Sequence, residues 1–231
     1  MDPILRLSED VMANGGELSL PALPRMIFVL RGSVEVAGRS LGDDEASSGE
    51  GPVTLKAGDA GVMLWRWELL AGDAGRDLGR DLGRDLGCDL GCDLGRSVMS
   101  REKLAARLDT IPRGELLLRG DSVAFPPGGC AYLHRHQGPG IRCLIEGGIR
   151  IDTHGRSTSF GPGGAWYETG PDGVFAQAAD RPTRFIRVMI LPRAYLGRSS
   201  VEYLREEDKP KPKSQTYKMY ADLPLTPEAM R

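Results

Sequence analysis

Histidine is scarce in this chain: there are three in 231 residues, and none before position 134. His134 and His136 stand one residue apart and His154 stands alone, so imidazole chemistry can only be built around "HRH". Cysteine is equally sparse. Residues 88, 92, 130 and 143 are too few and too irregularly spaced for a disulfide framework, and reduced thiols are expected. Long apolar runs are missing: no stretch approaches the roughly 18 residues of a membrane span. The N-terminus "MDPILRLSEDVMANGG" has no basic region leading into an apolar one, so export is not expected. An excess of one charge is missing too. Lys+Arg 30 against Asp+Glu 32 leaves −2 with no long basic run, which points away from nucleic acid and from a membrane surface as partners. The expectation is a cytoplasmic globular protein.

The chain does hold many short apolar runs broken by Gly, Pro and Asp: "RMIFVLRGSVEVAG", "VTLKAGDAGVMLWRWEL", "ELLLRGDSVAF", "IRCLIEGGIRI" and "RPTRFIRVMILP". Each is too short for a globular helix and rich in β-branched or aromatic residues, which predicts an all-β sandwich or barrel. Residues 98–110 are the exception. "SREKLAARLDT" begins on Ser100 and places Leu104 and Leu108 four apart, the pattern of a short linker helix. Between 73 and 97 lie five copies of a DLGR or DLGC unit, too short a period for a solenoid and too rich in Gly for a helix, so a loop is expected. Cys88 and Cys92 within it lack the two further ligands of a zinc knuckle.

The strands repeat at long range. "FVLRGSVEVAG" (28–38) parallels "CLIEGGIRIDTHG" (143–155), and each is followed by a Gly-rich corner and a Trp-bearing strand, "LKAGDAGVMLW" and "FGPGGAWYE". This predicts a duplicated β domain, one copy at 1–72 and one at 111–197, with 198–231 as a C-terminal extension in which "VEYL" can add a strand and residues 208–231 can pack across the first copy or a partner subunit.

The second copy resembles the cupin superfamily, small β-barrels of jelly-roll type. Gly128 is followed after five residues by His134 and His136, as in the family's first motif, and "IEGG" is similar to its usual turn. Counting on from His136 places Gly140 or Ile141 where the family has its ligand glutamate. "GAWYETGPDGVFAQAAD" resembles the second motif, with Pro171-Asp172-Gly173 in place and Ala176 where the ligand histidine would be. The resemblance therefore implies two cupin barrels in one chain, the first without ligands and the second with two of four. It also implies a homodimer.

Period two along a strand puts Tyr132, His134 and His136 on one face. Such a pair suits Fe, Mn, Ni, Zn or Cu if a third ligand joins, and Glu168 is the leading candidate, ahead of Glu146, which resembles the turn glutamate and is expected to point outward. If Gly140 takes the old glutamate position, Arg142 faces the cavity and can hold an anion. If Ile141 does, Arg142 faces out. His154, in "DTHGRS", reads as an exposed turn residue. Four functions remain open: a metal-dependent oxygenase, isomerase or lyase acting on a small polar or anionic molecule; a metal-free isomerase with a histidine base and Tyr132 as acid; a binding or sensory barrel for a small-molecule ligand; and a dimerisation module.

Overall fold

The computed structural model describes residues 2–72 and 97–226, so the DLGR and DLGC units, with Cys88 and Cys92, lie outside the described residues. The described chain is β-rich throughout, and its helical content is confined to single 3₁₀ turns at Arg193–Tyr195 and Glu206–Asp208. The described residues up to Arg107, with Thr226, form one compact unit, and Leu108–Leu225 form another.

The first unit is a single seven-stranded antiparallel sheet. Its strands are β1 (Ile4–Met12), β2 (Glu17–Leu20), β3 (Arg25–Val36), β4 (Arg39–Leu41), β5 (Ala46–Gly49), β6 (Val53–Leu70) and β7 (Val98–Arg107). The long β6 alternates polar and apolar in its first half and is buried from Leu64 to Leu70, where β1 and β3 flank it. One core cluster gathers Met12, Ile27, Val29, Val34, Leu55 and Leu64.

Residues 98–110 do not form the expected helix. Val98–Arg107 is an edge strand, antiparallel to β1, with Leu104 opposite Leu7 and Ala105 opposite Arg6. The spacing of Leu104 and Leu108 misled because Leu108 lies beyond the strand and is buried in the other unit, while Leu104 faces its cross-strand neighbour. An edge partner for the backbone outweighs a weak helix propensity.

The second unit is a two-layer sandwich. Its strands are β8 (Leu116–Phe125), β9 (Cys130–His136), β10 (Gly140–Glu146), β11 (Ile149–Thr153), β12 (Arg156–Phe160), β13 (Ala165–Glu168), β14 (Val174–Ala178), β15 (Thr183–Pro192), β16 (Val201–Tyr203) and β17 (Thr216–Pro224). One sheet runs β13-β10-β15-β8-β17 and the other β12-β11-β14-β9-β16. Val123, Phe125, Leu144, Ile149, Ile151, Trp166, Val174 and Phe185 fill the space between them. Much of the expected extension belongs to this unit: β16 adds an outer strand beside β9, and β17 one beside β8.

The two hairpins matched in the sequence have the same turn. Ala37-Gly38 joins β3 to β4 and His154-Gly155 joins β11 to β12, and all four residues have positive φ (50°, 78°, 50° and 69°). That is the demand of a two-residue hairpin turn whose twist matches the strands. His154 is there as a turn residue. Its ring is exposed, with Nε2 3.3 Å from Asp172 Oδ2.

Candidate functional site

Period two alone misplaces one residue of β9. Pairing with β14 matches Val174 to His134 and Ala176 to Ala131, so β9 carries one extra residue between them. This bulge switches the alternation. Ala131, His134 and His136 line the interior, whereas Tyr132 is half-buried outside the cavity, its ring beneath the Lys211 and Lys213 ammonium groups at 4.9 and 5.1 Å. The expected grouping of Tyr132 with the histidines is thereby corrected. Its backbone carbonyl is what reaches the site, 2.7 Å from His134 Nδ1.

On the facing sheet, Gly140 pairs with Glu168 and Arg142 with Trp166. Gly140 therefore takes the inward glutamate position, Leu144 enters the core, and Arg142 is fully buried at 1% exposure. Glu168 also faces in. Trp166 Nε1 donates to its Oε1 at 2.8 Å, Arg142 Nη2 lies 2.7 Å from its Oε2, and His136 Nε2 lies 3.5 Å from the same Oε2. The Arg142 contact is an ion pair whose direction is off the hydrogen-bond line, so Arg142 Nη2 and Glu168 Oε2 each lack a hydrogen-bond partner. Arg142 Nη1 donates to the Gly140 carbonyl at 2.6 Å. Glu146, as expected, is exposed, near Arg184 at 3.5 Å.

The cavity holds charges that were not anticipated. Arg187 on β15 makes a two-pronged pair with Asp121 on β8, at 2.6 and 3.0 Å, and Arg187 and Tyr217 join the wall. Arg187 lies in the apolar run "RFIRVMILP" at the inward parity of Phe185 and Met189, which was the available signal. Its partner becomes visible only through the β15–β8 register. The void left between these groups is about 20 Å³ for the centre of a water-sized sphere, room for a water or a small ion.

Electrostatics fix the protons. Burial pushes the His134 imidazole below its ordinary value against the opposing pull of Glu168. Burial, then His134, Arg142 and Arg187, hold His136 well below it. Both rings are neutral near pH 7. The Tyr132 carbonyl can only accept, so His134 carries its proton on Nδ1 and its Nε2 is an acceptor. His136 Nε2 therefore donates across the 3.3 Å between the rings, and His136 Nδ1 is left as a buried acceptor without a partner. Burial lowers the Arg142 guanidinium to about 10, with Glu168 pulling the other way, and it remains charged at neutral pH.

A resident divalent ion does not fit this arrangement. The carboxylate oxygen that faces His136 already has a guanidinium beside it, and two arginines balance two carboxylates around the cavity. Among the described residues no group of three or more His, Cys, Asp and Glu is arranged to hold a metal.

These two packed antiparallel sheets with inward histidines have the fold of the cupins. No family model and no curated protein matches the sequence. Solved structures do. Oxalate decarboxylase from Bacillus subtilis, in a single-residue variant, is 13% identical with a TM-score of 0.58, covering 90% of this chain and 73% of that one. The Lactobacillus farciminis oxalate decarboxylase formate complex is 14% identical at a TM-score of 0.58, covering 90% and 82%. Salicylate 1,2-dioxygenase from Pseudaminobacter salicylatoxidans is 12% identical at 0.52, covering 80% and 70%. At these identities the likeness is one of fold. No helix of the described residues is long and apolar enough to cross a membrane.

Proposed function

We propose that this protein is a cupin whose C-terminal cavity binds a small polar molecule without a resident metal. The observation that carries the reading is Arg142 Nη2 at 2.7 Å from Glu168 Oε2, inside the cavity and on the oxygen a metal would use. The ligand class follows from the hydrogen-bonding capacity left over: a donor at Arg142 and an acceptor at Glu168, which meet each other only as an ion pair, and an acceptor at His136 Nδ1, all buried. Unpaired buried groups are costly, so a molecule offering both a hydroxyl and an acceptor, such as a small hydroxy acid, is stabilised there. The void as it stands holds a water or a small ion, so a hydroxy acid enters only if the wall side chains move.

A second reading, the metal-dependent enzyme, rests on His136 Nε2 lying 3.3 Å from His134 Nε2 and 3.5 Å from Glu168 Oε2. In it those three would hold Fe, Mn, Ni, Zn or Cu and Arg142 would orient an anionic substrate. Elemental analysis of protein purified without an affinity metal separates the two. Less than about a tenth of an equivalent of any of the five, together with a thermal shift on adding small hydroxy or carboxylic acids, supports the binding barrel. A full equivalent lost on His134→Ala/His136→Ala supports the enzyme.

We further propose that both units are cupin barrels from one duplication, the first without imidazoles. Each buries a two-pronged Arg–Asp pair between its first strand and a late, long one: Arg66 with Asp10 at 2.8 and 3.2 Å, and Arg187 with Asp121. Homodimerisation belongs to the same proposal, and analytical ultracentrifugation tests it.

A further inference from the structure

We propose that Arg142 is a built-in cation whose charge keeps His134, His136 and Glu168 from acting as a three-ligand metal set. The inference rests on the metal-free reading above and concerns what enforces it.

Three observations carry it. First, two of the three donor pairs come close to the spacing of an ion's ligands, with the His136 proton moved to Nδ1 for Nε2 to bind. His134 Nε2 and His136 Nε2 are 3.3 Å apart, and His136 Nε2 and Glu168 Oε2 are 3.5 Å apart. Two ligands each about 2.1 Å from a shared ion stand roughly 3.0–3.4 Å from one another. Second, the ligands are held from behind in the way bound ligands are. The Tyr132 carbonyl takes the His134 Nδ1 proton at 2.7 Å, and Trp166 Nε1 fixes Glu168 Oε1 at 2.8 Å, which leaves Oε2 turned to the cavity. Third, the charge closes only with Arg142 present. Arg142 and Arg187 balance Glu168 and Asp121, so a divalent ion would add two uncompensated charges to a buried space. Without Arg142, the Glu168 carboxylate is buried and unbalanced while Arg187 remains satisfied by Asp121. The cavity then carries one net negative charge, and the guanidinium's volume is free beside the three donors.

The test uses the full chain with Arg142→Met, which keeps most of the volume, and with Arg142→Ala. Each is stripped with a chelator and titrated with Co(II), followed by visible absorption and calorimetry. The expected result is about one equivalent bound by either variant, on the order of a hundredfold tighter than by wild type. Co(II) should raise the melting temperature of the variants and not of wild type. Adding His136→Ala should abolish the uptake, and Arg142→Lys, which keeps the charge, should stay metal-free. Folded variants that take up no Co(II), or uptake that survives His136→Ala, would overturn the proposal. So would failure of both variants to refold with Co(II) present, because the ion would then not replace the guanidinium. Wild type that already holds an equivalent of metal overturns the metal-free reading instead, which distinguishes the two failures.

Discussion

Arg187 and Asp121 stand opposite each other in the β15–β8 register, and two guanidinium nitrogens meet both carboxylate oxygens at 2.6 and 3.0 Å. Both side chains are buried. Burial opposes the Arg187 charge, but Asp121 outweighs it and raises the guanidinium pKa. Removing one partner leaves the other charged in a low-dielectric interior. Arg187→Met should therefore cost about 3–5 kcal/mol in urea unfolding, while Arg187→Met with Asp121→Leu should recover most of that loss. A single variant as stable as wild type would show that water reaches the pair.

Strand positions were legible because short apolar runs bounded by Gly and Pro survive as β3, β6, β8, β10 and β15 almost residue for residue. The matched hairpins were legible because a turn with positive φ at two successive residues restricts composition. His134 and His136 could be read from motif spacing and Glu168 from the strand placement the resemblance implies, while Arg142 stayed between an inward and an outward register until the β10–β13 pairing fixed it. Tyr132 could not, because a single bulged residue in β9 reverses parity without a composition signal. Arg187 and Asp121 were missed because their pairing is a property of register between strands more than 60 residues apart. Residues 98–107 were misread because pairing with β1 is non-local.

The histidines give the fold a pH dependence whose sign follows from burial. Their folded pKa values lie below the ordinary value of about 6.5, for His134 and more so for His136. The unfolded chain takes up protons below that pH while the folded chain refuses them. Stability is thus fully present above about pH 6.5 and falls as pH drops, by up to about 1.4 kcal/mol per unit for each histidine, until the folded values are reached. Urea midpoints from pH 7.5 to 5.5 should decline for wild type and be flatter for His134→Gln/His136→Gln. Equal slopes would mean the rings are charged in the folded state.

Gly140 leaves no room for a side chain. A Cβ at this position would meet the Val188 carbonyl oxygen and lie 2.7 Å from Met189 Cγ and 2.9 Å from Met189 Cα, because β10 and β15 pack closely there. Gly140→Ala should lower stability by about 1–3 kcal/mol, and Gly140→Glu should do so without conferring metal binding. A folded Gly140→Glu protein that binds Co(II) would show that β15 yields.

The segment after Leu196 closes the sandwich edge that the histidine strand would otherwise present. β16 covers β9 at Val201–Tyr203, β17 covers β8 from Thr216 to Pro224, and the chain between them carries Lys213 over the Tyr203 ring at 4.0 Å and a buried Gln215 that donates to the Tyr203 and Tyr217 hydroxyls. Tyr217 is part of the cavity wall, and the His134 and Tyr203 rings lie 6.3 Å apart, so the closure reaches the site itself. Deleting residues 198–231 would bare the backbone donors and acceptors of two long strands and open the cavity to water, a combination that favours edge-to-edge aggregation. The expected outcome is loss of soluble protein, or a soluble remainder that melts without cooperativity. A truncated chain with the wild-type melting temperature would mean that β8 and β9 hold the sandwich on their own and that the segment serves something other than closure.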